Sequence, residues 1–441
     1  MGTPNGRVKL NVGGRIFETT ATTLEFAGEN SFFRAMLDDN WNSAITEHFI
    51  DRNPDCFGVL LDLLRTGDLY IPPKIDKKLL YKEAEYYGIL DQVWSAECAK
   101  FDGNRPRLAR SLTGWSVRDG KISRAIHASP TGWCCVAHGS MAHVYDWMLE
   151  ERPTINLDYH KVNDVHWVDS NNIVVSSNEK LDNGGMGLFN ASTGELSYKF
   201  QVTDVLKGYR AGALGFNSDN KLFSSCNNAN NGHGIGVWDQ VTGKQINFLN
   251  RSPYRRQSYA SRLQWLHDTN CMMIASFNPR NDISLYDVRN DKVVWSWSGV
   301  YAPNSYDVQD EKIFRDATAI EESNSICIVD WNECLGFMDL RGDGTINWRN
   351  SIKDVNPFSN WEYRSNNCYP KLAFHEGQLF SSLNDTITVY SGSDLVPTSQ
   401  FLQSHGGPIC DFSIAGDRLF ALHRNEDVLD VWETPRGLTI S

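Results

Sequence analysis

No stretch of this chain approaches the ~20 consecutive apolar residues that span a bilayer, and its opening "MGTPNGRVKL" lacks the apolar core of a secretory signal. These absences argue against membrane insertion and export, so the expected residence is cytoplasmic, with an additional nuclear pool as the alternative. Myristoylation at Gly2 is not expected either, because Gly6 stands where that signal wants Ser or Thr. Positive charge is scarce: 42 Lys and Arg face 54 Asp and Glu, a net charge of −12. An acidic surface does not supply the clustered positive field that nucleic acid requires. The ten cysteines follow no framework spacing, which fits reduced thiols buried in strands rather than disulfides. Cys134 and Cys135 would point to opposite faces of one strand and could not share a metal. The sequons at Asn190 and Asn384 are chance matches without a secretory route.

Catalytic signatures are missing as well. There is no P-loop, nucleophile elbow, metalloprotease helix or Cys-x-x-Cys pair. Gly232, Gly234 and Gly236 precede a strand instead of opening a helix, so they read as loop glycines. His138 and His143 flank a turn and are expected to make structural hydrogen bonds rather than hold a metal. We expect no enzyme, no cofactor and no metal.

What is present divides in two, as 441 residues exceed one hydrophobic core. In "LNVGGRIFET" two alternating runs flank Gly13-Gly14, the mark of a tight hairpin whose glycines supply positive φ. Three helices are expected next. The first, in "NSFFRAML", has Phe32, Phe33, Met36 and Leu37 on one face. The second is capped by Asn53, with Pro54 at its first position, an apolar face of Phe57, Leu60, Leu61 and Leu64, and Gly67 at its end. The third runs through Leu80, Ala84 and Tyr87 to Gly88. "HFIDRN" is a short strand candidate.

"LNVGG", "FIDRNPDCFGVLLDLLRTGDL" and "EAEYYGI", in this order over residues 7–100, resemble the BTB/POZ domain of the potassium-channel tetramerisation type. The resemblance implies an α+β domain that closes into a homo-oligomeric ring of four or five subunits through a head-to-tail interface. Asp62, Arg65 and Asp68 are then candidates for that interface or, equally, a solvated helix end. The zinc clamp of some relatives is not expected, since the domain holds only Cys56, Cys98 and His48. Several relatives without membrane helices bind cullin-3 as ubiquitin-ligase adaptors. By that analogy cullin-3 would dock near "FFRAMLDDNWNSAITEHFI", with Phe33, Met36, Leu37, Trp41 and Glu47 as contacts and Trp41 as the aromatic anchor or, alternatively, folded back onto its own domain.

Residues 101–118 mix Gly, Pro and Arg and read as a linker. From 119 to 441 a unit recurs, an apolar strand end followed by a polar turn, centred on Tyr145, Phe189, Trp238, Tyr286, Met338, Tyr390 and Trp432. The spacings of 42 to 52 residues are close to or slightly above the ~40–45 of propeller repeats. Upstream runs such as "GWCCVAH" and "CMMIAS" suit inner strands. This part resembles the WD-repeat propellers, although only Trp238-Asp239 keeps the full dipeptide. The fold expected is therefore an α+β BTB domain followed by an all-β, seven-bladed propeller. After Trp432 little chain remains, so "GWSVRD" at 114–119 is expected to complete the last blade. Arg251, Arg255 and Arg256, with Arg262, form a basic cluster suited to an acidic partner segment or, alternatively, paired with local carboxylates.

The combination is similar to plant BTB/POZ proteins proposed as cullin-3 substrate adaptors. It implies a ring that engages cullin-3 and a propeller that holds a substrate protein, or else an oligomeric scaffold for a signalling or membrane partner.

Overall fold

The computed structural model describes residues 7–29, 31–37, 48–72, 74–97, 100–113, 124–158, 161–177, 185–201, 210–217, 219–228, 232–250, 260–277, 281–299, 314–330, 334–342, 344–349, 368–401, 406–424 and 428–434. The chain forms two compact units, Met1–Ala99 and Lys100–Ser441.

In the first unit, β1 (Arg7–Val12) and β2 (Arg15–Thr20) form the expected hairpin, with Val12 opposite Arg15. β3 (His48–Ile50) lies parallel to the other side of β1. Gly13 and Gly14 turn the hairpin at φ +55° and +86°. The two differ in their surroundings. A Cβ on Gly13 would sit 2.5 Å from the Arg52 carbonyl oxygen and 3.0 Å from the Pro54 ring, whereas one on Gly14 would meet nothing within 4 Å. Alanine at either position incurs the left-handed backbone cost of about 1–2 kcal/mol. Gly13→Ala must also displace the entry to the next helix, so thermal unfolding should show Gly13→Ala clearly more damaging; the reverse order would remove this account of the turn.

The helices are α1 (Ala21–Glu25), α2 (Phe32–Leu37), α3 (Pro54–Thr66), α4 (Lys77–Tyr87) and α5 (Leu90–Glu97). In α3 the Asn53 side chain accepts from the N–H groups of Asp55 and Cys56, and Gly67 closes the helix at φ +79°. Cys56, Val59 and Leu63 are buried beside the expected face, so α3 is the central helix rather than a surface one. Phe33, Phe57 and Tyr87 form the aromatic core, with Phe33 stacked on Tyr87 at 5.1 Å. Glu83, buried on α4, is neutralised by Arg52 at 3.1 Å.

The second unit is a β-propeller. Among the described residues it contains seven four-stranded sheets, each traced as an antiparallel meander. In chain order they cover 124–156, 162–199, 210–250, 262–298, 314–349 and 371–401, and the seventh takes 409–433. The first strand of every sheet touches the first strand of the next, and that of the seventh touches that of the first. The ring therefore closes.

Two expectations need correction. The continuous apolar runs such as Cys134–His138 and Cys271–Ser276 are second strands, buried on both faces, and not the innermost ones. The innermost strands are those before them, which carry polar and charged residues. The strand completing the seventh sheet is Arg107–Leu112, paired with Leu429–Glu433, and not "GWSVRD", which lies outside the described residues. Residues 101–112 thus belong to the propeller itself. Phe101 is buried against Phe380 and Phe401, Asp102 N–H donates to Thr434 Oγ1 and Gly103 N–H to Gln378 Oε1.

Candidate interaction surfaces

α2 presents Phe33 and Met36, three residues apart, to the domain core; both are buried, and Leu37 is half-buried. A helical stripe reads the same whether it faces a core or a partner, and here the core takes it. Phe33 and Met36 are therefore unavailable as surface contacts, while Trp41 and Glu47 lie outside the described residues. Asp62, Arg65 and Asp68 are exposed at the end of α3. Arg65 binds Asp62 at 3.1 Å and donates to the Glu18 carbonyl oxygen at 2.8 Å, which holds this charged corner to β2.

An apolar strip that no local sequence pattern announces lies on the open face of the sheet. Ile16 and Phe49 both lie opposite Asn11, one on each side, and are 56% and 66% exposed. The pairing register alone brings them into one row; without it they are two unremarkable strand residues. Tyr70 and Phe26 add further exposed apolar surface.

In the propeller the first strands carry a recurrent charged device. Asp164 accepts from its neighbour Val165 N–H and from Leu214 N–H on the third sheet, both at 2.9 Å. Asp316 accepts from Ala317 N–H at 2.9 Å and from Leu372 N–H on the sixth sheet at 2.8 Å. Asp411 repeats the arrangement with Phe412 and, on the first sheet, Ile126. Gln264 and Ser413 clasp the neighbouring sheet in the same way. Each of these side chains ties the first strand of one sheet to that of the next.

The charges also act on one another. Burial pushes the Asp164 carboxyl up to about 6, and Asp411 and Lys371, from sheets that do not adjoin its own, act on it too. These charges therefore act on one another although the sheet of Asp164 does not adjoin those of the other two. Burial raises Asp411, with Lys371 opposing, and Lys371 is raised chiefly by Asp411. The signal in the sequence was the repeated Asp before an apolar residue in "VNDVHW", "FRDATAI" and "ICDFSIA". Arg262 bonds Asp316 at 2.7 Å and the Leu372 carbonyl oxygen at 2.8 Å, which withdraws it from the basic cluster. Arg251, Arg255 and Arg256 lie outside the described residues. His143 stacks on His138 and bonds Glu151, a structural arrangement. Among the described residues no His, Cys, Asp or Glu group could hold a metal, and no helix is long and apolar enough to cross a membrane.

Residues 8–98 match the BTB/POZ domain family, and residues 114–434 match the family described as the At2g24240-like C-terminal beta propeller. The Arabidopsis thaliana BTB/POZ domain-containing protein At4g30940 is 56% identical over 445 residues, covering 98% of this chain and 99% of that protein. At2g24240 of the same plant is 54% identical over 446 residues, covering 99% of each. The human A-type voltage-gated potassium channel KCND3 is 32% identical over 100 residues, 23% of this chain and 15% of the channel.

Proposed function

This chain belongs to the family of BTB/POZ proteins with an At2g24240-like C-terminal β-propeller, and we propose on that premise that it is a non-catalytic substrate adaptor of a cullin-3 ubiquitin ligase. A single observation carries the reading: a tetramerisation-type domain and a propeller, each with its own core, share one chain. The BTB domain assembles copies and engages cullin-3; the propeller takes the substrate protein. Assembly presents several propellers together, which raises avidity without new contacts.

The test is co-purification of the full-length protein with the amino-terminal half of cullin-3. The expected result is a complex at micromolar concentration, weakened at least about tenfold by Trp41→Ala, since an interface anchor contributes on the order of 2 kcal/mol or more. Failure of the unmutated protein to bind would overturn the ligase role. The likeness of the first domain to a potassium channel then favours a second reading, an oligomeric scaffold for a signalling or membrane partner. Light scattering on the full chain should give four or five copies, and a monomer would overturn both readings.

A further inference from the structure

The sulfur atoms of Cys368 and Cys410 lie 2.8 Å apart, although 42 residues separate them in sequence. Cys368 stands three residues before the first strand of the sixth sheet, Lys371–His375, and Cys410 is the second residue of the first strand of the seventh, Ile409–Ala415. Six of the nine described cysteines are buried, whereas these two, like Cys334, are only partly so. Cys410 owes its position to a bulge. Ile409 pairs with His423 and Asp411 with Leu422, leaving Cys410 as the extra residue between them. A bulge re-aims the side chain of its extra residue, and here that side chain meets Cys368 of the neighbouring sheet.

We infer that Cys368 and Cys410 are an oxidation site that closes reversibly into a disulfide, with hydrogen peroxide as the oxidant class. The separation is roughly 0.8 Å beyond the ~2.05 Å of the bond, so closure needs only a small shift. One thiolate attacks peroxide, forming an S–O bond as the O–O bond breaks and hydroxide leaves. The second thiol then attacks that sulfur, the S–S bond forms, and the oxygen departs as water. Two thiols and one peroxide give one disulfide and two waters, and a dithiol reverses the change. The new bond joins the sixth sheet to the seventh, the sheet that depends on Arg107–Leu112 for its fourth strand. Oxidation thereby gives the closing sheet a covalent tie that the reduced propeller lacks.

Trypsin separates the pair, because Lys371 lies between the cysteines, and no other cysteine falls between Arg364 and Arg418. The folded full-length protein is treated with hydrogen peroxide, blocked with an alkylating agent under denaturing conditions, digested and mapped with and without dithiothreitol. The expected product is a cross-linked pair of peptides that dithiothreitol resolves, with a rise of about 3–5 °C in the propeller's unfolding midpoint. Cys368→Ser and Cys410→Ser should each abolish both changes. Full alkylation of both cysteines after treatment, or separate sulfinic acids without the cross-link, would overturn the inference. So would a midpoint shift that persists in both variants.

Discussion

Asp316→Ala should lower the propeller's unfolding midpoint by about 5 °C, the equivalent of roughly 3–5 kcal/mol for a unit of this size. Three bonds end on this buried carboxylate: the Arg262 guanidinium at 2.7 Å, Leu372 N–H at 2.8 Å and Ala317 N–H at 2.9 Å. Alanine leaves two backbone donors without acceptors, each worth about 1–3 kcal/mol when buried. It also leaves Arg262 half-buried beside a neutral residue, a larger loss than that of the carboxylate alone. Asp164 makes the corresponding two backbone bonds, from its neighbour Val165 and from Leu214 of the third sheet, yet no ion pair to an arginine is seen at it among the described residues. Asp164→Ala should therefore cost about half as much. Its carboxylate also starts from a penalty, since burial pushes it up to about 6. A folded-state value above the unfolded one means that ionised Asp164 weakens the fold above that pH, and that the penalty fades as pH falls from about 6 toward 4. The gap between the two variants should consequently be widest at neutral pH. Equal losses in thermal denaturation at pH 7.5 would show that the Arg262 pair adds nothing.

The same devices explain what could and could not be read from the chain. α3 was legible because its cap, its proline and its terminal glycine are local, each fixed by a neighbour within four residues. α1 was not: five residues with two threonines have little helical preference, and the helix stands on the Thr20 cap at 3.2 Å. The third strands of the propeller announced themselves through Tyr145, Trp238 and their counterparts, because each ends in a polar turn. The innermost strands did not. Asp164, Arg262, Lys371 and Asp411 make them read as loops, and only the neighbouring sheet, unknown in advance, satisfies those charges. The Cys368–Cys410 contact arises from a bulge and two adjoining sheets, neither of which spacing reveals. Phe33 and Met36 were recognised as a face, but nothing in α2 says which side of the domain that face will meet.

The closing strand is the hardest case and carries the second large effect. A chain beginning at residue 113 should lose cooperative propeller folding, or unfold about 10 °C lower, compared with one beginning at Lys100, the boundary of the compact unit. "RLARSL" breaks the apolar alternation of a strand, with Arg110 between Leu108 and Leu112 on one face, and most of its residues are exposed. Its role lies in pairing, with Leu112 opposite Leu429, Ser111 opposite Asp430 and Arg110 opposite Val431. Ser111 Oγ donates to Asp430 at 2.6 Å, and Asp430 in turn lies 3.1 Å from His423, both almost fully buried. Removing the strand opens this buried polar group to water and exposes an unpaired edge, a template for aggregation. It also removes Phe101 from the core it shares with Phe380 and Phe401. The loss of a buried phenylalanine, at about 3–5 kcal/mol, and of a charge-assisted hydrogen bond, at about 1.5–3 kcal/mol, sets the scale. Because the segment acts by completing a sheet, it need not be covalently attached. A peptide of residues 100–113 added in trans should restore the midpoint of the shortened chain by strand addition, with Ser111→Ala in the peptide weakening the rescue. A shortened chain that unfolds at the same temperature as its longer counterpart would show that the ring closes without Arg107–Leu112.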